Sequence, residues 1–366
     1  MEGLVIGFDL GKDYSQICCW NEKTEEPVSV SVVAGAEKYR IPTESLEIFL
    51  KKAMRLLKPC GKLHEAQAIV FSVAEAKEEL VEEIRRTAMQ ITGISESRIF
   101  VQSHAESFCA YVLNQPREIW RHQAVLFSCE GELLDAMVLH AGTRTIPVLA
   151  RAEQKEEWRQ PVSGLSPEEK DEILFTLARS IFSERPVSSV FLVGEGFDEK
   201  WYNDSLKVLC GSGRRVFAGN NLFAKGACYR AAQEIRPAQE KSYVFLGEDK
   251  ISYNVGLRTP GTGKDIVYTL LNAGESWYEA KAECEALLCQ EPVVEFILKP
   301  MQGNETLKES LVLEGLPQRP PRATRLHIRV EFLSADTLRV EVRDLGFGEI
   351  FPSSDLVWSE EVNLGD

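Results

Sequence analysis

The feature that most constrains this chain is a repeated order of elements, followed by a change of order. Short β-prone runs joined by tight turns are followed by helices, and the same succession then recurs. Leu4–Phe8, the Asp9-Leu10-Gly11-Lys12-Asp13 turn and Ile17–Trp20 predict a hairpin, with Val28–Val33 as a third strand. Pro42-Thr43-Glu44 predicts a helix start with Thr43 as N-cap, carrying Leu46, Phe49, Leu50, Ala53, Leu56 and Leu57 on one face. A strand at Ala68–Val73, a helix over about 76–92 closed by Gly93, a strand at Ile99–Val101 and a helix at Glu106–Leu113 complete the first set. The second set opens with a hairpin, Ala124–Ser128 and Leu134–Leu139, around Cys129-Glu130-Gly131-Glu132. Ser166-Pro167-Glu168-Glu169 then reads as a capping box. Val187–Val193 runs into Gly194-Glu195-Gly196, and a small-residue helix follows from Leu222 to about Glu234.

After Ile235 the order changes. Arg236–Lys241 reads as a linker, and beyond it nearly every apolar run has strand character: 242–247, 250–257, 266–270, 279–286, 292–299, 307–313, 324–332 and 337–343. Leu326, Ile328, Val330 and Phe332 alternate with polar residues and face Leu338, Val340 and Val342 across Ser334-Ala335-Asp336. Such a run of short strands predicts a β-sandwich, with Ser359–Asp366 as a polar tail.

Composition excludes some function classes. A net charge of -14 opposes nonspecific nucleic-acid binding, which needs an electropositive footprint. No apolar run approaches the roughly 20 residues of a membrane-spanning helix, and the N-terminus lacks the basic start of a signal peptide. The nine cysteines form no CxxC and the five histidines no HExxH, so the thiols read as small hydrophobes in a reducing cytoplasm. Thr259–Lys264 imitates a phosphate loop, but Arg258 and Asp265 break the motif, and its flanks predict a hairpin turn. Ser103-His104 carries no triad geometry; His104 reads as a satisfied residue at a helix start. Asp9 has two readings: a carboxylate that orients water or hydrated Mg²⁺, or a turn residue accepting local N–H groups. Gly194-Glu195-Gly196 likewise reads either as a strand end or as a phosphate or ribose site.

Taken in order, these motifs resemble the 70-kDa heat-shock chaperones within the actin-like ATPase superfamily. Gly7-Phe8-Asp9-Leu10-Gly11-Lys12-Asp13-Tyr14-Ser15 is similar to the family's first phosphate motif, and Phe191–Gly196 with Asn220–Ala227 to its adenosine motif. Leu313-Glu314-Gly315-Leu316-Pro317 and Pro320-Pro321-Arg322-Ala323 resemble its substrate-binding β-domain. The resemblance implies an α/β actin-like ATPase fold (two lobes, ribonuclease-H-like) over residues 1–236, followed by a β-sandwich domain over 242–358. It implies Asp9 and Asp135 as catalytic and Mg²⁺-holding carboxylates, if the protein is active. Gly11, Lys12, Asp13, Gly131, Gly194, Glu195 and Gly196 become the ATP- or ADP-binding positions.

The departures fall on the chemistry. Lys12 and Asp13 replace a threonine pair, and Glu130 and Glu132 replace glycines in the second phosphate loop, where a carboxylate repels phosphate and a Cβ blocks its approach. The stretch before Ala68 is too short for the insertion that carries the family's catalytic lysine, and no helical lid is expected after the β-domain. The expectation is a chaperone-like protein with a degenerate nucleotide site, or no cofactor at all, binding a peptide or partner protein through its β-sandwich. The alternatives are an active Mg²⁺-dependent ATPase and an actin-like assembly or scaffold protein. Neither nucleic acid nor membrane is expected as a partner.

Overall fold

In a computed structural model the chain forms two compact units, Met1–Phe245 and Leu246–Asp366. The structure describes residues 3–33, 38–142, 145–219, 221–236, 242–259, 266–289, 291–303 and 305–365. Most of the expected linker, most of the Thr259–Lys264 turn, and Asn220 lie outside these residues.

The first unit contains two sheets built on one plan. In the first lobe, β1 (Val5–Leu10), β2 (Tyr14–Asn21) and β3 (Glu26–Ser29) form an antiparallel meander. The short β4 (Ile41–Pro42) adds to β2, and β5 (Ala68–Val73) and β6 (Ile99–Ser103) run parallel on the other side of β1. The strand order is β3-β2-β1-β5-β6. In the second lobe, β7 (Gln123–Glu130), β8 (Leu133–Gly142) and β9 (Val148–Glu153) repeat the meander, with β10 (Gln160–Pro161) on β8. The strands β11 (Val187–Val193) and β12 (Arg215–Ala218) repeat the parallel pair. This doubled ribonuclease-H-like order is the actin-like ATPase fold.

Helices α1 (Leu46–Leu56), α2 (Glu78–Thr92) and α3 (His104–Leu113) follow the strands of the first lobe. Helices α4 (Pro167–Glu184), α5 (Asn203–Leu209) and α6 (Leu222–Glu234) follow those of the second. The last helix of each set packs on the opposite lobe. Phe108, Cys109 and Val112 of α3 share a core with Leu126, Met137 and Phe191, whereas Ala227 and Ala231 of α6 pack on Val5, Ala68 and Val70. Where α3 and α6 cross, a Cβ on Gly226 would lie 1.9 Å from the Ser107 carbonyl oxygen, so only glycine allows that approach.

The second unit is a sandwich of two antiparallel sheets. One contains β14 (Tyr253–Thr259), β15 (Ile266–Leu271), β17 (Val293–Pro300) and β18 (Leu307–Val312). The other contains β16 (Lys281–Leu287), β19 (Arg325–Ser334), β20 (Thr337–Gly346) and β21 (Val357–Asn363). Val255, Phe296 and Leu298 of one sheet bury against Ile328, Val330, Phe332 and Val340 of the other. This core follows from period-2 alternation.

Several expectations are corrected. Tyr243–Phe245 is not the first strand of the sandwich: as β13 it pairs in parallel with β9 and buries Tyr243 and Phe245 in the core of the second lobe. The expected tail forms β21, because the outer edge of β20 offers a backbone ladder that a polar strand can fill. The third strand is Glu26–Ser29 rather than Val28–Val33. Thr43 is not an N-cap; Ser45 holds that position, and the Thr43 hydroxyl donates to the Gly11 carbonyl at 2.8 Å. The Ser166 capping box forms as expected, with both reciprocal hydrogen bonds.

Candidate functional site

The cleft between the lobes of the first unit is lined by Asp9, Gly11, Lys12, Asp13, Tyr14, Gln16, Arg40, Glu130, Val193, Gly194, Glu195 and Phe223. Parallel topology explains the gathering, because ligand sites of open α/β sheets lie beyond the carboxyl ends of their strands. Asp9 stands near the end of β1 and the Gly194 turn follows β11.

Asp9 is buried, and its Oδ1 lies 2.9 Å from Nε2 of His104, the first residue of α3. The His104 ring stacks parallel on Phe223 of α6, with centroids 4.1 Å apart. The carboxylate is therefore engaged by a side chain held from two helices. Asp135 sits elsewhere: its carboxylate accepts from Arg159 Nε at 3.3 Å and from its neighbour's backbone N–H, and it does not line the cleft. Among the described residues no group of three or more His, Cys, Asp or Glu side chains is arranged to hold a metal ion.

The second hairpin closes on the Gly194 turn. Gly194 has φ +99°, and a Cβ there would lie 2.2 Å from the Cys129 carbonyl oxygen; one on Gly196 would lie 2.2 Å from the Cys129 sulfur. These glycines admit the protein's own β7 strand. Burial pushes the Cys129 thiol up to about 11, so it packs as a neutral side chain. Glu195 reaches across and its Oε1 accepts the Gly131 N–H at 2.5 Å. By the resemblance, that N–H should face phosphate; a carboxylate takes it instead. Burial raises the Glu130 carboxyl above its ordinary value, with Asp9, Glu195 and Asp13 adding like charge against the opposing pull of His104. Lys12 and Asp13 are exposed on the turn opposite. At the mouth, Arg40 of the first lobe makes two hydrogen bonds to Asp198 of the second, at 2.5 and 2.9 Å, and its guanidinium lies 5.5 Å from the Tyr14 ring.

The cavity left among these groups is about 30 Å³. That suits a water molecule, whereas small-molecule sites span roughly 300–1,000 Å³. Gln16 lines it with a buried Oε1 that has no hydrogen-bond partner among the described residues. The lining supplies acceptor oxygens from Asp9, Gln16, Glu130 and Glu195 and cationic groups from Lys12 and Arg40.

Sequence reasoning brought together Asp9, Gly11, Lys12, Asp13, Gly194 and Glu195, all of which line the cleft. Gly131 and Gly196 stand beside it, through Glu195 and Cys129 respectively. It missed Arg40 and Phe223 as cleft residues and His104 as the partner of Asp9. For His104 a signal existed in its position at the start of a helix directly after a strand. For Arg40 there was none, because its partner lies 158 positions away.

A family model described as "Family of unknown function (DUF5716) C-terminal" matches residues 30–248, more than half of the chain. The chain belongs to this family. A second model, "Domain of unknown function (DUF8552)", matches residues 250–364, the sandwich of this family member. No curated protein matches the sequence. Among solved structures, the chain is similar to an inorganic polyphosphate/ATP-glucomannokinase from Arthrobacter sp. strain KM, at 12% identity and TM-score 0.42, covering 64% of this chain and 100% of that one. A ROK hexokinase from Thermus thermophilus has 15% identity and TM-score 0.38, with the same coverages. A Bacteroides thetaiotaomicron protein with actin-like ATPase fold and unknown function has 11% identity and TM-score 0.37, covering 62% of this chain and 96% of that one. At these identities the likeness bears on the fold alone. Among the described residues no helix is long and apolar enough to cross a membrane.

Proposed function

We propose that this family member is a non-hydrolysing scaffold, in which an actin-like unit with a self-filled cleft carries a β-sandwich that docks a peptide or partner protein. The observation that carries the reading is the cleft itself: about 30 Å³ of space, with the Gly131 N–H already taken by the Glu195 carboxylate. Its nine free thiols suit a reducing compartment, the cytoplasm. Peptide capture of the chaperone type is the narrower form of the proposal and rests on the motif order in the sequence.

Calorimetric titration with ATP and with ADP, each with Mg²⁺, paired with a phosphate-release assay, tests the reading. The expected result is neither binding at high micromolar nucleotide nor release. Binding at that concentration, with or without turnover, would overturn the self-filled cleft. The second reading, an active ATPase, is favoured by one observation: buried Asp9 and exposed Lys12 line the same cleft. It requires phosphate release that disappears in Asp9→Asn.

A further inference from the structure

The sulfurs of Cys19 and Cys60 lie 2.8 Å apart, although the residues are 41 positions apart in sequence. Non-bonded sulfurs ordinarily rest farther from one another, and both thiols are free. Strand alternation explains the selection of Cys19 over its neighbour. Cys18 and Cys19 point to opposite faces of β2: Cys18 packs with Ala224 and Cys228 of α6, whereas Cys19 meets Cys60. Cys19 is buried between β1 and β3, paired with Ile6 and Val28. Cys60 is exposed in the turn after α1, where its backbone N–H donates to the Leu57 carbonyl at 2.8 Å.

We propose that Cys19 and Cys60 are a thiol-oxidation site of the first unit, closing to a disulfide on exposure to a peroxide. Exposure and placement assign the roles. The Cys60 thiolate attacks one peroxide oxygen; an S–O bond forms, the O–O bond breaks and hydroxide leaves, to be protonated to water. Cys60 is then a sulfenic acid. The Cys19 sulfur attacks the Cys60 sulfur; the S–S bond forms, the S–O bond breaks, and the hydroxyl departs with the Cys19 proton as a second water. Two thiols lose two electrons and two hydrogens, and one peroxide is reduced to two waters. The hydrogen bond from Cys19 lowers the Cys60 thiol to about 7, which supplies the attacking thiolate near neutral pH. That same bond to Cys60, with burial added, pushes the Cys19 thiol upward, so it keeps its proton until the second step. The bond would tie the end of α1 to β2 and close a loop containing β3, Arg40 and α1.

The test treats the full chain with hydrogen peroxide, blocks remaining thiols after unfolding, and maps the peptides by mass spectrometry. The expected result is a loss of about 2 Da and one cross-linked peptide pair containing Cys19 and Cys60. Cys210, exposed but remote in sequence on α5's C-cap, serves as the thiol that forms no intramolecular bond. In Cys19→Ser, Cys60 stops at the sulfenic acid and is trapped by a 1,3-dione probe. Cys60→Ser alters only an exposed turn and should abolish the 2-Da loss even if Cys19→Ser does not fold. The proposal is overturned by a disulfide in any other pairing, by the same mass loss in Cys60→Ser, or by Cys60 advancing to sulfinic acid while Cys19 stays a free thiol.

Discussion

Removing the charge of Asp344 should destabilise the sandwich by about 3–5 kcal/mol, the range for a buried pair stripped of one partner. Asp344 is fully buried and the Arg319 side chain is 4% exposed. Two guanidinium nitrogens donate to its two oxygens at 2.7 Å each. The backbone N–H groups of Gly346 and Ser354 donate at 2.9 and 2.8 Å, and the Ser354 hydroxyl at 2.6 Å. Burial by itself would raise this carboxyl; the donors of Arg319, Ser354 and Gly346 outweigh it and hold it far below the carboxylate range. Asp344→Asn keeps the shape, leaves the Arg319 charge buried without its counter-ion, and turns an amide N–H₂ towards donors. Arg319→Met should cost less, because three donors to the carboxylate survive. The double variant should be milder than the sum by at least about 1 kcal/mol, the coupling expected of groups in direct contact.

Urea unfolding of the full chain, followed in the transition reported by hydrogen exchange of the Gly346 and Ser354 amides, measures these costs. The pH dependence has a definite sign. A carboxyl whose folded value is depressed contributes stability that is present above its unfolded value of about 4 and is lost as pH falls towards the folded value. The gap between wild type and Asp344→Asn should therefore narrow from pH 5 downward. A cost under about 1 kcal/mol at pH 7, or a gap that stays constant down to pH 3, would refute the reasoning.

Gly226→Ala should destabilise the first unit by about 3 kcal/mol or more, since the new Cβ meets a fixed backbone oxygen at 1.9 Å; thermal unfolding measures it. Arg40→Ala, whose partner Asp198 is half exposed, should cost no more than about 1 kcal/mol in global stability. It should nevertheless speed exchange of the Gly131 amide, if the ion pair holds the lobes together. Ser166→Ala removes a capping box and should cost about 1 kcal/mol, read from the thermal midpoint.

The elements of this chain were legible where their information is local. Alternation placed the β19–β20 hairpin, whose inward residues pair as expected, Val330 with Val340 and Phe332 with Leu338. Glycine at 93 adopts the left-handed conformation that ends α2. The repeated order of hairpin and helices was also legible, and the two lobes were what the family resemblance implied. Strand ends were less legible, because a segment such as Tyr243–Phe245 has the same β character whichever sheet receives it, and only the open edge of β9 decides.

The sequence by itself determined most of the strands, the Ser166 and Gly93 caps, the repeated order of hairpin and helices and the turns that carry Asp9 and Gly194. The tertiary structure alone decided what those turns do. Asp9 meets His104 across 95 positions, and Gly131 meets Glu195 across 64. Periodicity and capping report on a few neighbouring residues, since side-chain direction repeats within one turn or one pleat. Which distant group meets a free N–H or a carboxylate depends on which strands lie side by side, β11 beside β7 in one sheet and β1, β5 and β6 in the other, and only the folded sheet sets those neighbours.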